Sequence, residues 1–312
     1  MDRACLTIDR HTPILPPSVH FGLCPKLEKY YTTLKNKVLL PDCGIKEINR
    51  WRRVSGNKWP SVPRKIITEE MLVKGEWAVN CSHGILEDHL QKFAYKRGLT
   101  PNDIERYKVC STAKLCELLD ESDIINLSLE ISEKFKSIIK NRSISGLSFP
   151  YWYNGKFMGF CTRIVDNDFC KYSISIPNRF CWGLESGGDE VYIVEGIFDA
   201  IAIRRLGYNV MAMADSQPNF YKLRIANDFN HVFIMLDGDY SGLLGAVKAY
   251  YLLTKMFDRD PRSISILWLE NHKDPSEALS DGDFAVSKIT YSQAIDILEA
   301  LGKDINPLDF II

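Results

Sequence analysis

The chain of 312 residues carries a net charge of −1, 46% apolar and 25% charged residues, which excludes disordered and fibrous classes and allows one large core or two to three smaller ones. No apolar run reaches the roughly 18 residues that span a bilayer, and Met1–Pro17 lacks a basic segment followed by an apolar one. Nine cysteines without framework spacing predict reduced thiols rather than a disulfide scaffold.

From Met1 to about Asn80 the segments are broken by proline, with one predicted helix near Leu27–Lys37. Within them Arg50–Lys65 interleaves Arg50, Arg52, Arg53, Lys58, Arg64 and Lys65 with Trp51 and Trp59 and contains no acidic residue. Such a stretch can hold a phosphate backbone and stack bases, or it can be a solvated loop with buried tryptophans; both readings stay open. The apolar spacing of Leu86, Leu90, Phe93 and Ala94 predicts a helix over Ile85–Arg97, closed by Gly98, with Thr100 capping a further helix that has Pro101 at its first position. Helices are also predicted over Thr112–Leu119 and Leu127–Ile139.

Ser148–Trp152 and Lys156–Ile164 read as strands joined at Asn154-Gly155, a hairpin signal. After the glycine-rich acidic stretch Glu185–Asp189 the pattern alternates. Strands are expected at Val191–Val194, Val210–Ala214, His231–Leu236 and Ile264–Leu269. Helices are expected at Ile197–Leu206, Asn219–Ala226, Gly242–Met256 and Ser292–Leu301. Alternation of this kind predicts a parallel α/β sheet with right-handed crossovers.

Acidic residues stand where those strands end. Glu195-Gly196 follows Val191–Val194, Asp237-Gly238-Asp239 follows Val232–Leu236, and Lys273-Asp274-Pro275-Ser276-Glu277 follows the third strand. Carboxyl ends of parallel strands are where α/β sheets bind ligands. Converging carboxylates repel one another, so divalent cations are the natural counter-charge. Taken singly, Asp-Gly-Asp is also an ordinary turn, Glu195 a charge at a helix start, and Asp274-Pro275 an ordinary helix start.

This order of Glu, Asp-x-Asp and Asp resembles the Toprim domain. The preceding segment extends the resemblance to the catalytic core of DnaG-type primases, through Phe149-Pro150, Gly155, Gly159-Phe160, Arg163, Lys171-Tyr172, Gly183-Leu184 and Val194–Ala202; the Lys96–Thr100 turn is similar too. The implied fold is α/β: a Toprim-type parallel sheet flanked by helices, preceded by a smaller mixed α+β primase-type basic domain. The expected domains are 1–80, of unclear fold; 81–186, the N-terminal subdomain of the primase core; 187–285, the Toprim domain; and 286–312, a C-terminal helix and tail.

The resemblance implies a DNA primase that makes short RNA primers on single-stranded DNA from NTPs, expected to be phage-encoded and cytoplasmic in a bacterium or infected host. It implies Glu195, Asp237 and Asp239 as catalytic metal ligands and Asp274 as a further ligand, with two Mg²⁺ or Mn²⁺ ions. Asp199, one turn along the helix from Glu195, is a further candidate. Arg163, Lys171, Tyr172 and Arg142 are expected to face nucleotide and template, with Arg179 a companion, and Arg52, Arg53, Lys58 and Trp59 to touch DNA. The family's zinc ribbon has no counterpart, since Cys24, Cys43, Cys81 and His83 lack ribbon spacing; zinc is not expected, and buried thiols are. A replicative helicase is the further expected partner. The acids alone do not separate a primase from a Toprim nuclease, or from a non-catalytic adaptor that keeps the fold.

Overall fold

The computed structural model describes residues 69–120, 145–153, 155–165, 173–174, 181–183, 188–213, 218, 220–269 and 271–300. The expected helices near Leu27–Lys37 and Leu127–Ile139 lie outside the described residues. So does the basic stretch Arg50–Lys65.

The first layer combines helices α1 (Glu69–Ser82), α2 (Asp88–Lys96), α3 (Pro101–Arg106) and α4 (Thr112–Leu118) with strands β1 (Cys110–Ser111), β2 (Gly146–Tyr153), β3 (Lys156–Ile164) and β4 (Ser173–Ile174). These strands form an antiparallel sheet in sequential order. Thr100 caps α3 as its sequence predicts: its side chain accepts from the Asp103 amide while the Asp103 carboxylate accepts from the Thr100 amide. Apolar residues of α1 and α4 pack on one face of this sheet, around Phe157, Phe160 and Ile164. Inside, the hydroxyls of Thr112, Ser148 and Thr162 form a buried row with successive spacings of 2.9 Å, so three polar groups cross from helix to sheet without being left unpaired.

The second layer is a five-stranded sheet in the order β6-β5-β7-β8-β9, built from β5 (Glu190–Val194), β6 (Val210–Ala212), β7 (His231–Ile234), β8 (Ile264–Leu269) and β9 (Val286–Ile289). The first four are parallel and β9 runs antiparallel to β8. Between them run α5 (Ile197–Arg205), α6 (Phe220–Ala226), α7 (Tyr240–Met256) and α8 (Pro275–Asp281), with α9 (Tyr291–Ala300) last. Alternate residues of each strand face opposite sides: Val191, Ile193, Val232, Ile234, Ile264 and Ile266 join the core under α6, α7 and α9, whereas Val194, Ala212 and Met235 join the core shared with α2, α5 and β2. Burial on both faces explains the unbroken apolar runs.

The structure moves some of the expected limits. Helix α1 spans the boundary drawn at 80/81, and β9, set apart by the boundary at 285/286, hydrogen-bonds to β8 within the same sheet. Helix α2 begins at Asp88 rather than Ile85, because Glu87 is still extended. Of the described cysteines, Cys110, Cys116, Cys161 and Cys181 are buried, but Cys81 is exposed, against the expectation for buried thiols. No described helix is long and apolar enough to cross a membrane.

Candidate metal centre

Three neighbouring parallel strands deliver their acids to one edge. Glu195 directly follows β5, Asp237 lies just beyond β7, and Asp274 closes the loop after β8. Local geometry fixes each in turn. Asp239 is the N-cap of α7, its Oδ1 accepting from the Gly242 amide at 3.0 Å. Asp274 is the N-cap of α8; its Oδ1 accepts from the Glu277 amide at 2.8 Å and the Ser276 hydroxyl at 2.7 Å. The helix-start reading of Asp274-Pro275 thus describes its local conformation.

Two glycines set the spacing. A Cβ on Gly242 would collide with the Asp237 carbonyl oxygen, so α7 starts as close to the Asp237 backbone as a glycine permits. A Cβ on Gly238 would sit 2.6 Å from the His272 carbonyl oxygen, and the Gly238 amide donates to the Lys273 carbonyl. The backbone therefore ties the Asp-Gly-Asp loop to the Lys273-Asp274 loop.

Behind these loops Asp199, only 3% exposed, accepts from the Gly196 amide at 3.0 Å and the Ser276 amide at 3.2 Å, joining the starts of α5 and α8. Burial first, and then the Asp274 charge, pushes its carboxyl above the usual range. Asp274 moves the other way: burial opposes its ionisation, but the Ser276 hydroxyl, the Glu277 amide and Arg97 outweigh it and hold the carboxyl low. Arg97 Nη2 lies 3.5 Å from Asp274 Oδ2, and its guanidinium sits 5.1 Å over the Phe198 ring. Next to it Arg205 pairs with Asp103 at 2.8 Å. The Lys96–Thr100 turn is thereby docked on the second layer at the acidic edge.

Asp237 shows the electrostatic state of the site. Burial, followed by the charges of Glu195, Asp199 and Asp274, raises its carboxyl from 3.8 to about 8, with Lys273 opposing. The Lys273 ammonium stands 3.8 Å from Asp237 Oδ2 and 3.6 Å from Asp239 Oδ2, a monovalent cation placed between two hard oxygen donors. Among the described residues no three acidic, histidine or cysteine groups close on one point. The donor set still suits a divalent cation, since a hard ion of this kind can take one or two carboxylates and complete its shell with waters and phosphate oxygens.

The structure thus gathers Glu195, Asp199, Asp237 and Asp274 into one electrostatic unit, to which Lys273 joins Asp239. Arg163 is half-buried on β3, opposite Leu147 and Ser173. Lys171, Tyr172, Arg142, Arg179, Arg52, Arg53, Lys58 and Trp59 lie outside the described residues. Sequence reasoning missed Arg97 and Lys273. Lys273 adjoins an acidic motif and was legible as a counter-charge; Arg97 reaches the site only through the packing of two layers, which no local pattern records.

A family profile described as Toprim-like matches residues 192–279. The chain is 22% identical over 251 residues to a DNA primase of Rickettsia prowazekii (strain Madrid E), covering 70% of this chain and 42% of that protein. It is similar to the RNA polymerase domain of the Mycobacterium tuberculosis primase DnaG, at 14% identity and TM-score 0.55 over 78% of this chain and 86% of that one. It is also similar to a DnaG primase catalytic domain bound to single-stranded DNA, at 17% identity and TM-score 0.53 over 75% of this chain and 78% of that one. The chain spans less than half the length of the curated relatives it matches. The chain therefore has the fold of the DnaG-type primase catalytic core, with a Toprim-like domain at residues 192–279.

Proposed function

We propose that this chain is a DNA primase, synthesising short RNA primers on single-stranded DNA by nucleotidyl transfer. The observation that carries the reading is the docking of the N-terminal layer on the second layer, with Arg97 paired to Asp274 at the acidic edge and Arg205 paired to Asp103 at the other end of α5. A primase must hold template and nucleotide across from its carboxylates, and the first layer supplies a wall for them.

Glu195, Asp237 and Asp239 would hold two Mg²⁺ or Mn²⁺ ions. When bound, such ions stabilise the attacking and leaving oxygens of an in-line displacement at phosphorus. The protein's own residues prepare for that step. Gly238 and Gly242 fix the carboxylate spacing, while Asp199 and Asp274 add negative field from behind, with both Asp274 oxygens already engaged. Asp274 accordingly supports the ligand set through Ser276 and Asp199. Arg163, Lys171, Tyr172 and Arg142 would offset the polyanions that a carboxylate site repels, as would the Arg52, Arg53, Lys58 and Trp59 stretch.

Single-stranded DNA of mixed sequence, labelled NTPs and Mg²⁺ or Mn²⁺ form the test, beside the Asp237→Ala/Asp239→Ala variant. Short labelled RNA that disappears in the variant is the expected result. Metal-dependent cutting of the DNA without synthesis would replace this reading with a nuclease.

A further inference from the structure

Helix α1 carries apolar residues on both of its faces. Inward, Leu72, Ala78 and Val79 join the core around Phe157, Phe160 and Ile164. On the opposite face Val73, Trp77 and Cys81 recur at every fourth residue and so form one stripe along the helix. Val73 is 63% and Trp77 50% exposed, and Cys81 is exposed with them.

Glutamates rim that stripe. Glu70 extends it toward the helix start, while Glu69 and Glu76 follow one flank. Among the described residues no cation pairs with these three acids. The single lysine of α1, Lys74, is engaged by Asp120 at 2.9 Å. Acids in the first turn complement the helix macrodipole, which accounts for Glu69 and Glu70 but neither for Glu76 nor for a half-exposed indole. An apolar stripe edged by carboxylates matches an occupant that is apolar and cationic at once, since an indole face attracts arginine and lysine as well as apolar groups.

The chain leading into α1 has that composition. Arg50–Lys65 holds six cations and no acid, with Trp51, Val54, Trp59 and Val62 between them, and only Ile66, Ile67 and Thr68 separate it from Glu69. A connection of this length is ordinary between packed neighbours, for which about 2–8 residues are used. The stretch from Trp59 to Glu69 can span up to roughly 33 Å, whereas Glu69 to Trp77 is only about 12 Å of helix, so reach imposes no restriction. So short a tether gives an effective concentration on the order of millimolar, which favours this segment over any free partner of the same composition. We propose that Arg50–Lys65 folds back along the exposed stripe of α1, setting its apolar side chains against Val73 and Trp77 and its cations against Glu69, Glu70 and Glu76. Six cations facing three acids leave a positive surplus on the first layer, and the placement does not depend on the primase reading.

Brief trypsin digestion of the full chain, without nucleotide, DNA or divalent ion, is the test. Every cation of the segment is a cleavage site, and its cleavage follows the population of the undocked form. Cutting within residues 50–65 is expected to be about tenfold faster in Val73→Ser/Trp77→Glu than in the unaltered chain, and about threefold faster in Glu70→Gln/Glu76→Gln, both at unchanged melting temperature. Equal rates in all three proteins would overturn the proposal. So would sedimentation showing the unaltered chain to be a dimer that Val73→Ser/Trp77→Glu dissolves, because the stripe would then belong to a second copy. The digestion uses no ligand of the carboxylate edge, so a failed primer-synthesis assay leaves its result standing, and the converse holds.

Discussion

The two ends of α5 face opposite chemical demands with the same backbone element. At its first turn, Glu195 and Asp199 belong to a crowd of carboxylates so short of positive charge that Asp237 is pushed up to about 8. At its last turn, Arg204 and the neighbouring Arg106 line a ring-walled concavity with no acid among its described residues. A helix macrodipole favours anions at the start and cations at the end, and this distribution follows that preference. One short helix thereby keeps the carboxylate edge apart from a pair of arginines.

The comparison can be broken most severely at the acidic end. Asp237→Ala/Asp239→Ala should lower primer synthesis by about 10³-fold or more, since ion-assisted stabilisation at phosphorus is worth several kcal/mol at 1.4 kcal/mol per tenfold. Calorimetric titration with Mn²⁺ should lose its heat in the same variant, and heat that persists would move the ions elsewhere. Next in size, Gly242→Ala should cost about 3 kcal/mol in denaturant unfolding, because the new methyl meets backbone rather than a side chain that can yield.

A pH profile sharpens the contrast. The folded Asp237 carboxyl binds its proton more tightly than its ordinary value of 3.8, at about 8. Its destabilising contribution in the metal-free protein is therefore absent below about pH 4 and complete above about pH 8. Asp237→Asn should raise the metal-free melting temperature at pH 8 by on the order of 5 °C and leave it unchanged at pH 4. A uniform shift at both pH values would show that the asparagine acts by packing.

Arg97→Met removes the cation that offsets the Asp199–Asp274 pair. It should destabilise by about 1–2 kcal/mol, more at pH 8 than at pH 5, a modest figure because the arginine is 38% exposed. The smallest effect belongs to Lys273→Gln. At 62% exposure its two ion pairs should be worth less than about 1 kcal/mol in a thermal melt.

How far the sequence could be read follows from the range of each interaction. Strands β5, β7 and β8 were legible because burial on both faces demands continuous apolar runs, and the acids were legible because they stand directly after those runs. Thr100 and Pro101 marked α3 through purely local capping. Helix α1 was missed: it leaves Val73 and Trp77 exposed, so its apolar residues mark no clean face. Strand β9, Val286-Ser287-Lys288-Ile289, is a short edge whose identity depends on β8 beside it. The position of Arg97 against Asp274, and the meeting of Arg106 with Arg204, arise only when the two layers close.

The amide of Gly238 and the carbonyl of Lys273 link the two acidic loops through main chain alone. Geometry and charge at this edge are consequently separable variables. Side chains at 272 and 273 can be exchanged to retune the local potential while the carboxylate spacing stays with the backbone, whereas any side chain at 238 changes the spacing first. The edge can be adjusted like an instrument with two independent controls, one for where the ligands stand and one for how strongly they attract.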